Sequence, residues 1–265
     1  MVEAIRQVFA ERGVVYADVI PFSEATVLLK RKIDQLSFIP QSVIVFAIPY
    51  YAGEMPDRNL SRYAVAKDYH LFFQLFSEEV KAELQAHYPK ESFVAFFDNS
   101  PIDEREAAAK AGLGLRGMNN LLLTERYGSY VFLGEFLTSI PYQEIGTLSS
   151  FVVSDCEKCG LCLDACPKKE VCLSALTQKK GELTQEEKDA ILTLGSVWGC
   201  DICQEVCPHS QKVEITPIKF FREDLIKYLT PEILEAMTDE DFRHRAYAWR
   251  GKKTILRNLL LFDNR

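Results

Sequence analysis

Residues 156–167 read CEKCGLCLDACP: three cysteines at two-residue gaps, a fourth three residues further on, and a proline directly after it. In the bacterial ferredoxin run of this spacing, the first three thiolates wrap one [4Fe–4S] cluster and the fourth reaches a second. A partner motif is therefore required, and Cys172 with Cys200-x2-Cys203-x3-Cys207-Pro208 supplies it. Crossing the ligands assigns Cys156, Cys159, Cys162 and Cys207 to one cluster, and Cys166, Cys172, Cys200 and Cys203 to the other. No cysteine is left over, and none occurs before residue 156. Zinc bound by two CxxC pairs is the alternative, but zinc needs neither the third cysteine at x2 spacing nor the repeated xxxCP ending.

Outward from this segment the chain reads as a mixed protein. It has 265 residues, 48% of them hydrophobic, with a formal net charge of −7. That length allows one or two domains, and that composition is globular. The acidic balance excludes bulk nucleic-acid binding but not a local basic patch. The longest apolar run, Val43–Tyr51, is short and broken by Pro49, so no membrane span is expected. The opening MVEAIRQVFAERG reads as an amphipathic helix carrying acids, not a signal peptide. Crowded thiols in a chain of this kind point to metal chemistry in a reducing, cytoplasmic setting.

Three segments are expected: an α/β domain over 1–150, a Cys-rich domain over 151–210, and a helical segment over 211–265. In the first, hydrophobic spacing predicts helices over 2–13, 23–33, 69–87 and 101–111. Strands are expected over 14–20, 42–49 and 92–97, and over 121–124 and 130–138 either side of a Tyr127–Gly128 turn. Asp68 reads as the cap of the 69–87 helix, Ser100 as an N-cap and Pro101 as its N1 residue. The second segment is short of apolar residues and is expected to need a metal to hold it. In the third, Pro231 and Asp239–Asp241 mark helix starts. Its last stretch, 243–265, carries a net +6 against −13 for the rest; this reads as a solvated face, with a phosphate-binding patch as the sharper alternative.

Further residues then narrow the function. SRYAVAKDYH (61–70), DNSPIDEREAAAKAGLGLRGMNN (98–120), YGSYVFLGE (127–135), GCDICQEVCP (199–208), the Cys172-Leu173-Ser174 context and Trp249–Lys253 together resemble the epoxyqueuosine reductase family. The resemblance implies an α+β chain: an N-terminal mixed α/β cobalamin-binding domain of nitroreductase-like type, then a ferredoxin-like double-cluster domain and a short helical C-terminal segment. It implies that the clusters reduce cobalamin, that cob(I)alamin drives loss of an epoxide oxygen from epoxyqueuosine in tRNA, and that a flavodoxin or ferredoxin supplies electrons. Asp98 matches the family's proton donor. Ser61, Asp98, Ser174 and Lys180 fall at expected cofactor contacts.

Read without the resemblance, Asp98-Asn99-Ser100-Pro101 is equally a turn into a helix. As a donor, Asp98 would need partial burial at the end of the 93–97 strand to stay protonated. Glu104 and Arg105 read as a helix-surface pair, or equally as residues that shape the pocket, and Gly112, Gly114 and Gly117 as turn formers. His70 reads as structural, and His209 as a residue able to tune a cluster. Three departures from the family stand out: Met118 where a lysine is usual, only five residues between Cys166 and Cys172, and an end at Arg265 where helical repeats usually continue, so a short form is expected. Two other functions remain open on sequence: a corrinoid-dependent reductase of a small molecule, and a non-enzymatic electron carrier.

Overall fold

The computed structural model describes residues 2–167 and 171–263. Arg265 of the basic run and the centre of the segment after Cys166 lie outside them. The chain is mixed α/β and divides into two compact units that cut across the expected boundaries at 150 and 210. One comprises Met1–Tyr50, Phe73–Cys159 and Pro208–Ile218; the other Tyr51–Phe72, Gly160–Cys207 and Lys219–Arg265.

The first unit is built on an antiparallel four-stranded sheet. Its strands are β1 (Tyr16–Pro21), β2 (Ser42–Pro49), β3 (Phe93–Phe96) and β6 (Val131–Thr138), in the order β1-β2-β6-β3. β2, the run SVIVFAIP, is buried at every position, as expected of a central strand with both faces covered. One face carries α1 (Val2–Ala10) and α3 (Tyr69–His87). There Phe46 lies 5.0 Å from Phe9, 6.0 Å from Phe73, 5.5 Å from Phe76 and 5.8 Å from Phe136. These rings cross β6 so closely that a Cβ on Gly134 would meet Phe46 at 2.7 Å and Phe73 at 2.8 Å. The opposite face packs Val43, Val45 and Leu137 against Ala107, Ala108 and Ala109 of α4 (Glu104–Lys110). Three successive alanines let that helix approach the sheet closely. The short strands β4 (Leu115–Arg116) and β5 (Leu122–Leu123) pair with each other, not with β6.

Two expectations in this unit are corrected. The 23–33 helix shrinks to a 3-10 turn, Phe22–Glu24, and a short α2 (Lys30–Asp34). Its middle is captured instead by the 101–103 segment: Leu28 and Leu29 donate to the Pro101 carbonyl at 2.8 and 3.0 Å, and Asp103 N donates to Thr26 O at 2.9 Å. The same pairing keeps 101–103 extended, so α4 starts later than residue 101. Asp103, not Ser100, is its N-cap, accepting from Arg105 N and Glu106 N.

The second unit is helical. After the short α5 (Tyr142–Ile145) of the first unit come α6 (Leu161–Asp164), α7 (Leu173–Thr177), α8 (Gln185–Leu194), α9 (Ile202–Glu205), α10 (Pro231–Ala236), α11 (Asp239–Arg243) and α12 (Lys252–Asp263). Thr184 and Glu187 form a capping box on α8, and Thr230 and Thr238 cap α10 and α11. The Cys-rich segment has a small core of its own, contrary to expectation: Leu173, Leu176, Leu183 and Ile191. A larger core joins Leu60, Val65, Trp198, Tyr247, Ile255 and Leu259. Buried Asn258 ties it together by donating to Thr177 O at 2.7 Å and Val197 O at 2.8 Å. No helix among the described residues is long and apolar enough to cross a membrane.

Candidate functional site

Two groups of reactive side chains stand out, one in each unit. In the second unit, Cys200 and Cys203 flank the start of α9 and Cys172 caps α7. Cys166, Cys172 and Cys200 lie near enough for their charge to act on Cys203, and Cys162 does the same. Burial pushes the Cys200 thiol up to about 11 and Cys203 up to about 12, so both keep their protons at neutral pH until a metal displaces them. None of the eight cysteines is in a disulfide; Cys162 and Cys207 are buried, and Cys159 and Cys172 exposed. Among the described residues no three His, Cys, Asp or Glu side chains are placed to hold a metal ion. The five sulfur donors in this neighbourhood, Cys203 with Cys162, Cys166, Cys172 and Cys200, fit groups that bring their own irons and sulfides.

Asp201, between two of these cysteines, organises its surroundings. It accepts from Ser61 Oγ at 2.6 Å, Arg62 N at 2.8 Å, Gln204 Nε2 at 3.0 Å and Arg58 Nη2 at 3.1 Å. Sequence reasoning missed this residue, although an acid inside a CDIC motif is a signal. Ser61 is buried, with its hydroxyl already engaged by Asp201. Gly199 approaches it at φ +75, where an added Cβ would meet Ser61 Cβ at 2.4 Å. Gln178 Nε2 links Ser174 Oγ at 3.2 Å to the Tyr63 hydroxyl at 3.4 Å. Ser61, Tyr63, Gln178 and Ser174 thus belong to one polar neighbourhood, which fits the rim of a bound polar cofactor; Lys180 is exposed nearby in sequence.

In the first unit, Asp98 and Asn99 follow β3 with φ of +50° and +43°. Two successive non-glycine residues in the left-handed region are strained, a condition found most often in functional loops. Asp98 is exposed, which corrects the expectation that it sits partly buried. The burial falls on the acids behind it. Glu135 is 0% exposed and accepts from Ser100 Oγ, itself buried. Glu104, read as either a helix-surface or a pocket-shaping residue, is turned inward, with its Oε1 buried. Burial, reinforced by the charge of Asp98, pushes Glu104 up to about 7. Burial beside Glu104 raises Glu135 well above the ordinary carboxylate range. A lone acid inside the apolar run VFLGEFLT was the available signal for Glu135.

Other expected residues take structural parts. His70 is exposed and its Nδ1 lies 2.8 Å from Asp68 Oδ1. His209 Nε2 lies 2.7 Å from Glu157 Oε2. Met118 lines a cavity of about 490 Å³ with Arg116, Asn120, Asp155 and Lys158. Part of the basic run is committed: Arg245 donates to Asp224 O at 2.6 Å and Arg257 to Lys179 O at 2.8 Å, while Arg243 and Lys253 are exposed. Arg250 stacks on Trp249 at 3.7 Å.

Comparison with known proteins gives these features a context. Residues 31–99 match the family model described as Epoxyqueuosine reductase QueG, DUF1730. An epoxyqueuosine reductase of Staphylococcus aureus is 30% identical over 222 residues, covering 76% of this chain and 55% of that protein. One from Lactococcus garvieae is 31% identical over 241 residues, covering 82% and 66%. The chain therefore spans from about half to about two thirds of these relatives' length. A crystal structure of epoxyqueuosine reductase with a tRNA-Tyr epoxyqueuosine-modified tRNA stem loop superposes with a TM-score of 0.78 at 25% identity, over 98% of this chain and 80% of that one. On its sequence and its fold alike, the chain belongs to the epoxyqueuosine reductase family.

Proposed function

We propose that the protein reduces epoxyqueuosine to queuosine in tRNA, as a cobalamin-dependent iron–sulfur reductase of the cytoplasm. The observation that carries the reading is the neighbourhood of Cys166, Cys172, Cys200 and Cys203 in a chain of this family. These four hold one [4Fe–4S] cluster. By spacing, Cys156, Cys159, Cys162 and Cys207 hold the other. The segment 1–150 acts as a nitroreductase-like cofactor and substrate domain, 151–210 as a ferredoxin-like domain, and 211–265 as a helical segment. Ser61, Ser174 and Lys180 lie at the cofactor's rim. A flavodoxin or ferredoxin is the electron donor.

Removing the epoxide oxygen as water takes two electrons and two protons. Cobalamin, when bound and reduced through the clusters, supplies the electron pair. Asp98 supplies a proton to the departing oxygen. Its exposure on a strained loop suits contact with a large substrate, and general-acid help of this kind is commonly worth about 10²–10⁴-fold. A tRNA stem loop bound by the structural relative is the class of substrate we assign.

The test is anaerobic loading with iron, sulfide and cobalamin, followed by reaction with an epoxyqueuosine-bearing stem loop. Mass spectrometry should show loss of one oxygen atom. Full cluster and cobalamin loading without that loss would overturn the substrate; loaded clusters with no cobalamin binding would make the chain an electron carrier.

A further inference from the structure

Strand alternation puts Glu135 in one row with Leu133 and Leu137, on the face of β6 covered by α4. No apolar core tolerates a carboxylate there without a partner. Ser100 satisfies one Glu135 oxygen, but Oε2 is buried with no hydrogen-bond donor. Glu104 Oε1, from the first turn of α4, is in the same condition. The two carboxyls are in hydrogen-bonding contact with each other. Two carboxylates have only acceptors to offer, so such a contact needs a proton on one of them.

The charged groups around the pair are unevenly arranged. Glu104 faces Asp98 and Asp103 as like charges and Arg105 as the opposing one. Glu135 faces Glu104, the Ser100 hydroxyl and Lys32. With one proton between them the pair keeps one net negative charge, buried behind the exposed Asp98. The upward displacement of both acids is what this arrangement requires.

We propose that Glu104 and Glu135 share a single proton and act as a positioning pair for Asp98, their net charge raising its affinity for a proton. The proposal deepens the reading of Asp98 as proton donor and rests on it. A carboxylic acid exposed to water would otherwise ionise well below neutral pH. The retained charge behind the loop offsets part of that loss, raising the protonated fraction of a donor that remains open to a large substrate.

Infrared titration of the cluster-loaded protein tests this without any substrate. The Asp98 carboxylate band is assigned by its loss in Asp98→Asn. Glu104→Gln together with Glu135→Gln keeps the shape and removes the charge, so the Asp98 midpoint should fall by about one pH unit, the size of one nearby like charge. Glu104→Asp, which keeps both carboxyls, should retain most of the wild-type midpoint. Glu104→Ala together with Glu135→Ala gives the same readout if the amide variant does not fold. An Asp98 midpoint unchanged by both removals of charge would overturn the pair's role, as would the absence of any protonated carboxyl at neutral pH in the wild type. A midpoint that shifts in a protein unable to consume the epoxide supports the pair and places the failure in the proposed reaction.

Discussion

The first unit gathers its acids on and beside a sheet, and the second carries Cys162, Cys166, Cys172, Cys200, Cys203 and Cys207 on short helices and loops. Glu135 is fixed by a central strand hydrogen-bonded on both sides, facing Val45 of β2 and Phe96 of β3 in register. The thiols of the second unit ride on α6, α7 and α9, none longer than 5 residues. Helices this short are not stable by themselves. They are held by buried polar anchors such as Asp201 and Asn258, and by the group the thiols bind. On the proposed reading, a proton-handling site stands on a scaffold that folds by hydrophobic burial, and an electron-handling site on one that the small core of Leu173, Leu176, Leu183 and Ile191 and the bound clusters hold together.

The strongest way to break this contrast is Cys203→Ser. Iron should fall from about eight to about four per chain and epoxide reduction should vanish, while the sheet signal in circular dichroism persists. Collapse of that signal would show that the first unit also depends on the clusters. Asp201→Ala comes next. It leaves the Ser61 hydroxyl, the Arg62 amide and the Gln204 amide without their shared acceptor, while Arg58 keeps Glu205; this should destabilise the second unit by about 1–3 kcal/mol in denaturant titration of the loaded protein, and an unchanged midpoint would deny Asp201 its anchoring part.

A smaller effect concerns pH. Glu104 is raised from 4.5 to about 7, so the folded chain holds a proton that the unfolded chain releases. That contribution to stability is complete below about pH 4.5 and is lost as pH rises to about 7. Glu104→Gln should flatten the decline between those limits, measured by thermal melting, and an unchanged slope would contradict the assignment. The smallest effect is expected for Asp103→Ala, which removes the α4 cap and should cost about 1 kcal/mol, leaving iron content unaltered.

Much of the scaffold is legible in the amino-acid sequence. The 69–87 helix and the 42–49 strand have the bounds that their periodicity predicts, because each is long and uniform in pattern. The 23–33 segment does not, since its amides are taken by Pro101, a partner remote in sequence. The grouping of 51–72 with the Cys-rich segment leaves no composition signal either, because it depends on contacts such as Ser61 with Asp201 at 2.6 Å. At the site, the cysteines are recognisable by spacing. Glu104 is not, because an ER pair at a helix start looks the same whether it faces water or a second acid. In the basic run the charges are visible in sequence, but the carbonyls that Arg245 and Arg257 bond are not.

The most direct test of the division between electrons and protons is a comparison of wild type and Asp98→Asn, both loaded with clusters and cobalamin and mixed with an epoxyqueuosine stem loop under reducing conditions. The account predicts equal iron content and equal cobalamin binding, with conversion slower by about 10²–10⁴-fold in the variant. Equal rates of conversion would contradict it and leave Asp98 a turn residue.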